Sequence, residues 1–345
     1  MASVSPMSPD RADRSPDEAS DYRGILPQSL AGYIWRCTAF HQAFLALMSV
    51  AVFLLSAIPL EIQRRIVNDA IASGAVRTIA WLAAAYVGVA AVEGGIKLAL
   101  NIYRGWVSEA AVRHLRRTIS AQIDDASTAL HTAEAEGVEI SMILSEVEPV
   151  GGFIGISLSE PLLQGGVLAS VLGYMIYLQP EMALLALIVL MPQLLFVPLM
   201  QRAINRRAWS RIKTLREVGG GIIKLGGDHS RASALQNDRI DQVFTLNMGI
   251  YKLKFSMNFM MNLMYHLGVA AVLGIGGWFA VSGRIDVGTV VAFVSGLAKI
   301  NDPWGDVVNW FREMTVSDVK YRLISDASDW LARRRGAPAK DDAAA

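Results

Sequence analysis

The sequence predicts an all-α membrane protein of six membrane-spanning helices, with long helical extensions on one side of the bilayer. Three observations predict it. Of the 345 residues, 53% are hydrophobic and 18% charged, with mean hydropathy +0.35, which is too apolar for an ordinary water-soluble domain. Several stretches reach the ~20 apolar residues that a helix needs to cross ~30 Å of hydrocarbon at ~1.5 Å per residue. Lys and Arg gather in two long connectors and are sparse in the others.

The elements follow in chain order. Residues 1–24 are rich in Ser, Asp, Arg and Pro without an apolar run, and read as a disordered tail with no cleavable leader. Residues 29–37 form an amphipathic lead-in, with Tyr33 and Trp35 suited to the interface. Spans are expected at 39–60, 79–100, 161–178, 182–203, 255–279 and 287–308. Gln179, Pro180 and Glu181 leave room only for a tight hairpin between the third and fourth, and Gly283-Arg284-Ile285-Asp286 joins the last two. Val107, Ala111, Leu115, Ile119 and Ile123 keep a helical apolar rhythm past the second span. Helix-permissive stretches also flank the later spans at 140–159, 202–218, 232–254 and 309–331. The ordered region is expected over 25–331, with a second disordered tail at 332–345.

Orientation follows from charge. The connector after the fourth span carries Arg202, Arg206, Arg207, Arg211, Lys213 and Arg216 among others, and the one after the second carries Arg104, Arg113, Arg116 and Arg117. The opposite side has Arg64, Arg65, Arg77 and Arg284. Both termini and both long connectors are therefore expected in the cytoplasm, with the chain in the inner (plasma) membrane. A net charge of +1 gives no basic excess for nucleic acid. The single cysteine, Cys37, excludes an intramolecular disulfide and a multi-Cys metal site. His41, His114, His131 and His229 lack partners at metal-ligand spacing, so no metal site is expected.

Three motifs carry a family resemblance. Gly277-Trp278-Phe279-Ala280-Val281-Ser282-Gly283-Arg284-Ile285-Asp286-Val287-Gly288 runs on to Ala292-Phe293 and Pro303. Gly137-Val138-Glu139-Ile140 precedes Ser145-Glu146-Val147-Glu148-Pro149-Val150. Pro59 precedes Ile66-Val67-Asn68-Asp69-Ala70-Ile71. Together they resemble the type-1, exporter-type ABC transporter transmembrane domain. The resemblance implies a six-helix bundle that dimerises by domain swapping, with itself or a paralogue. The third motif resembles the family's first outer loop. Gly283 supplies a turn conformation that side chains resist, and Gly288 allows close helix approach.

The resemblance also implies two short cytoplasmic helices that couple to an ATPase. Here they correspond to 130–137, with His131, Glu134, Glu136 and Gly137, and to 216–227, with Gly221 and Lys224. The first lacks the family's aromatic pair, and Lys224 stands where the family carries an acid. No stretch matches G-x-x-x-x-G-K-[ST], the loop whose amides and Lys hold nucleotide phosphates. No cofactor is therefore expected in this chain, and ATP and Mg²⁺ belong to a partner subunit.

Charges inside a bilayer cost at least ~2.5 kcal/mol and persist where they face partners or a wet cavity. Glu93 and Lys97 stand at i,i+4, Lys299 and Asp302 at i,i+3, and His266 lies in mid-span. Both pairs either neutralise themselves and pack the bundle, or line a polar cavity or proton relay. Met257, Met260, Met261 and Met264 read as packing residues.

The leading expectation is a membrane subunit moving a hydrophobic, peptide or lipid-like substrate, powered by a separate ATP-binding subunit. A proton-driven permease with the same membrane fold, and a non-transporting scaffold or regulatory subunit, are the alternatives.

Overall fold

The structure, a computed structural model, describes residues 26–71, 74–126, 133–223 and 229–335. Its helices are α1 (Leu30–Ser56), α2 (Ile58–Arg65), a π-helical turn (Ile66–Ile71), α3 (Val76–Ala126), α4 (Ala133–Ile156), α5 (Ser159–Leu178), α6 (Pro180–Ile223), α7 (His229–Val281) and α8 (Val287–Arg335). The described residues contain no strand. That is the solution hydrocarbon imposes, because only a helix satisfies its backbone polar groups within a single segment.

Among the described residues, five stretches are long and apolar enough to cross a membrane: Leu30–Asp69, Val76–Gln122, Ser159–Leu178, Pro180–Leu215 and Gln236–Val281. The expected sixth span falls in α8, which is unbroken through Pro303; Lys299, Asp302 and Asp306 interrupt its apolar run. At 51, 44, 53 and 49 residues, α3, α6, α7 and α8 far outlast the ~20 residues of a crossing, as the helical rhythm beyond the spans requires.

The chain divides into two compact units. One comprises Met1–Ser49, Ile96–Glu160 and Trp310–Ala345. Val107, Ala111, Leu115 and Ile119, the rhythm legible in sequence, are all buried there. The acid–Val repeat of α4 splits by face: Val147 and Val150 are buried, while Glu146 pairs with Lys320 at 2.6 Å and Glu148 with Arg116 at 3.3 Å. The lead-in differs from expectation. It is the first two turns of α1, and Tyr33 is buried at 1% exposure rather than interfacial, held by His114 Nδ1 at 2.9 Å and by the Tyr321 ring. The Tyr321 hydroxyl donates to Pro27 O at 2.7 Å, and burial pushes its pKa up, so it stays a donor.

The second unit comprises Val50–Gly95 and Pro161–Asn309. The α5–α6 hairpin turns on Gln179, as the spacing predicts. The stretch expected to form the first outer loop is instead helical, as α2 and the π-helical turn. Asn68 within that turn accepts from the Gly288 N–H at 2.7 Å, joining it to the start of α8. Gly283 has φ +71°, the left-handed conformation the turn needs. A Cβ on Gly288 would lie 2.5 Å from Arg64 O, so its close approach is to backbone.

Candidate functional site

In the second unit, polar side chains converge where α1 ends. Pro59 has no N–H, and the Leu60 N–H turns to Ala57 O at 3.2 Å, which leaves Ser56 O without its helical donor. Lys299 Nζ fills the vacancy at 2.7 Å. An ammonium at a helix C-terminus also meets the negative end of the helix dipole. Both Glu93 carboxylate oxygens lie 3.4 Å from the same nitrogen, longer than the 2.7–2.9 Å usual for charge-assisted bonds. The two side chains remain 29% and 21% exposed. Lys299 is thus anchored by the carbonyl, and Glu93 is loosely held.

This arrangement corrects the expected pairing. Neither Glu93 with Lys97 nor Lys299 with Asp302 forms an ion pair among the described residues; the pair crosses between helices. Helical register explains why. Leu82, Tyr86, Val89, Glu93, Ile96 and Leu100 are the less exposed positions of α3, spaced three and four apart, and Lys97 falls off that stripe and is exposed. Asp302 is exposed and bonded to Asn301 Nδ2 at 3.1 Å, and His266 is exposed beside Tyr265. Asp306 accepts from Gln164 Nε2 at 3.0 Å. Of the five residues singled out in the spans, Glu93 and Lys299 are brought together; Lys97, His266 and Asp302 are not.

A prediction follows from the unequal anchoring. Lys299→Met removes the cap on Ser56 O and strands Glu93, and should cost about 1–2 kcal/mol, the partial exposure lowering the penalty of a fully buried pair. Lys97→Met should change stability by less than about 0.5 kcal/mol. Denaturation of the purified protein in mixed micelles measures both.

Further along α2, Glu61 takes Arg64 in bidentate fashion at 2.8 and 2.9 Å, Arg65 at 2.6 Å and the Tyr174 hydroxyl at 2.6 Å. The coupling candidates His131 and Lys224 lie outside the described residues. So do the side chains of Glu134 and Glu136; α4 includes their positions and that of Gly137, and α6 that of Gly221.

The first unit holds a pair that charge counting misses. Arg104, 8% exposed, donates from Nε to Ser159 Oγ at 2.8 Å and from Nη1 to Glu160 Oε2 at 2.5 Å. It binds the point where α4 gives way to α5. The carbonyls freed by that break are met by side chains: Gln42 and Ser157 donate to Ile154 O at 2.8 and 2.9 Å, and Trp310 Nε1 donates to Ser157 O at 3.0 Å. The legible signal was the Gly151-x-x-x-Gly155 spacing, the small-residue pattern of close helix contact. Both glycines pack on α3, Gly155 against Arg104 O and Gly151 against Val112.

Comparison with known proteins adds one match. The model of the ABC transporter transmembrane region fits residues 41–219, just over half of the chain. No curated protein matches the chain.

Proposed function

Because this chain belongs to the ABC transporter transmembrane family, whose model spans 41–219, we propose that it is the membrane subunit of an ABC-type transporter. It works as a pair of copies, or with a paralogue, around a central cavity, with both ends in the cytoplasm and a sixth span in α8. An ATPase outside these 345 residues drives it. The family match carries the reading, supported by the absence of a nucleotide phosphate loop from this sequence.

Pairing is supported by apolar faces that none of the described residues covers. Ile240, Phe244, Met248 and Tyr251 form one exposed stripe on α7, before its apolar stretch at 255–279, and Phe311, Met314, Val319 and Leu323 are exposed on α8 past 308. Contiguous exposed apolar residues of this kind mark interfaces. The substrate is amphipathic or hydrophobic, a peptide or lipid-like molecule; Glu93 and Lys299 are the polar groups proposed to face it.

The test is ATP hydrolysis by the complex purified from its native membrane through a tag on this chain. The expected result is a co-purifying ATP-binding subunit whose turnover falls when Phe244→Asp is introduced on the α7 stripe. Absence of any ATPase, together with substrate uptake that collapses with the proton gradient and with Glu93→Gln, would move the reading to a proton-driven permease. The loosely held Glu93 is the observation that favours that second reading.

A further inference from the structure

One groove in the first unit has no role in the family reading. Phe44 and Met48 of α1 face Ala99, Ile102, Tyr103 and Trp106 of α3 across a space of about 530 Å³, within the ~300–1,000 Å³ range of small-molecule sites. Its lining is almost wholly apolar. At one end the side chains change character: His41 Nδ1 and the Tyr103 hydroxyl are hydrogen-bonded at 2.7 Å, and the Trp106 ring stands edge-on to His41 at 5.2 Å. Phe40, Ile102 and Trp106 are exposed.

The composition is layered along the helix axes. Met48 and Ala99 lie within the apolar spans, and His41, Tyr103 and Trp106 lie at their ends, where aromatic residues with a polar edge favour the interface. Arg113 is seven residues past Trp106, on the same face and about 10 Å further along α3, and Arg36 is one turn before Phe40 on α1. Both are exposed. Arginines at that level reach back toward the headgroups. Glu109 is the acid on this face of α3, which leaves an excess of positive charge. An apolar slot, a hydrogen-bonding rim and a cationic ledge, in that order, match an acyl chain, its ester region and a phosphate.

We propose that this groove holds one acyl chain of an anionic phospholipid from the cytoplasmic leaflet, with its phosphate against Arg36 and Arg113. The ledge makes the site selective: a zwitterionic lipid fills the slot but loses the net attraction to the basic side chains. The site needs membrane insertion only, not an ATPase, so it stands whichever energy source drives the chain.

The test uses the full-length protein in phosphatidylcholine vesicles doped with lipid brominated on its acyl chain, and reads tryptophan quenching. The Trp106 signal is the difference between the protein and its Trp106→Phe variant. Brominated phosphatidylglycerol should quench that signal at about tenfold lower mole fraction than brominated phosphatidylcholine. The double variant Arg36→Gln, Arg113→Gln should bring the two lipids to parity, with an unchanged thermal midpoint. Ala99→Phe, which fills the slot, should abolish quenching by both. Equal quenching by the two lipids in the unmutated protein, or a preference that survives loss of both arginines, would overturn the proposal. So would an unquenched Trp106 whose Cys variant cross-links to another copy, since the face would then belong to a second protomer.

Discussion

Arg104→Met should cost about 3–5 kcal/mol of stability, the largest loss expected from a single side chain. Arg104 and Glu160 are joined at 2.5 Å, with side chains 10% and 17% exposed. Methionine fills most of the volume but leaves the Glu160 carboxylate in low dielectric without its cation, and that stranded charge carries most of the cost. Removing both charges is therefore expected to be milder than removing one. Arg104→Met with Glu160→Gln should recover more than half of the single-variant loss, a positive coupling that a double-mutant cycle measures directly. Arg104→Lys should rescue only in part, because the guanidinium reaches Ser159 Oγ from Nε and Glu160 from Nη1, whereas the shorter lysine offers all its donors from one nitrogen. Arg104 Nη2 is itself buried without an acceptor, so the wild-type pair already bears a desolvation cost that the double variant escapes. Denaturant unfolding in mixed micelles is the measurement. A single-variant loss under about 1 kcal/mol would show that water reaches the pair and that it stabilises nothing.

How much of this was legible in sequence depended on whether a feature is local. Five of the expected spans were legible because hydropathy is a property of each stretch alone, and so was the extension of α3, since Val107, Ala111, Leu115 and Ile119 repeat at helical spacing. The turn at Gly283 was legible for the same reason. Partners were not. Glu93 four residues from Lys97 satisfies a helical pairing rule, yet the stripe through Leu82, Tyr86 and Val89 turns one inward and the other outward. The actual partner lies 206 residues away, and no spacing rule reaches it. Tyr33 failed similarly: an aromatic near a span end reads as interfacial until a second helix, carrying Tyr321, covers it. The first outer loop was expected from the resemblance of its motif alone, and the segment is helical instead, since proline in the first turn of a helix removes no hydrogen bond that the helix needs. The open carbonyl is that of Ser56, because the Leu60 N–H bonds Ala57 O instead, and that is where Lys299 donates.

Gly155→Ala should destabilise the protein by about 2–3 kcal/mol, while Gly152→Ala, three residues away on the same helix, should be neutral or stabilising by up to about 1 kcal/mol. Both changes add one methyl to the last turns of α4, and their propensity gains of at most about 1 kcal/mol are both favourable, so a loss at Gly155 reports packing. A Cβ on Gly155 would meet the Ser108 hydroxyl and lie 2.5 Å from Arg104 O, while one on Gly152 meets nothing within 4 Å. A hydroxyl can rotate aside, but a backbone carbonyl in the middle of α3 can yield only if the two helices separate. Separation would also pull Arg104 from Ser159 and Glu160, since the carbonyl that blocks Gly155 belongs to the residue that donates to both. The Gly155→Ala loss should accordingly shrink in the background of Arg104→Met with Glu160→Gln, where there is less to disrupt. Equal effects of the two alanines would mean that α3 and α4 do not approach at Gly155, and the clamp on the α4–α5 break would lose its geometric basis.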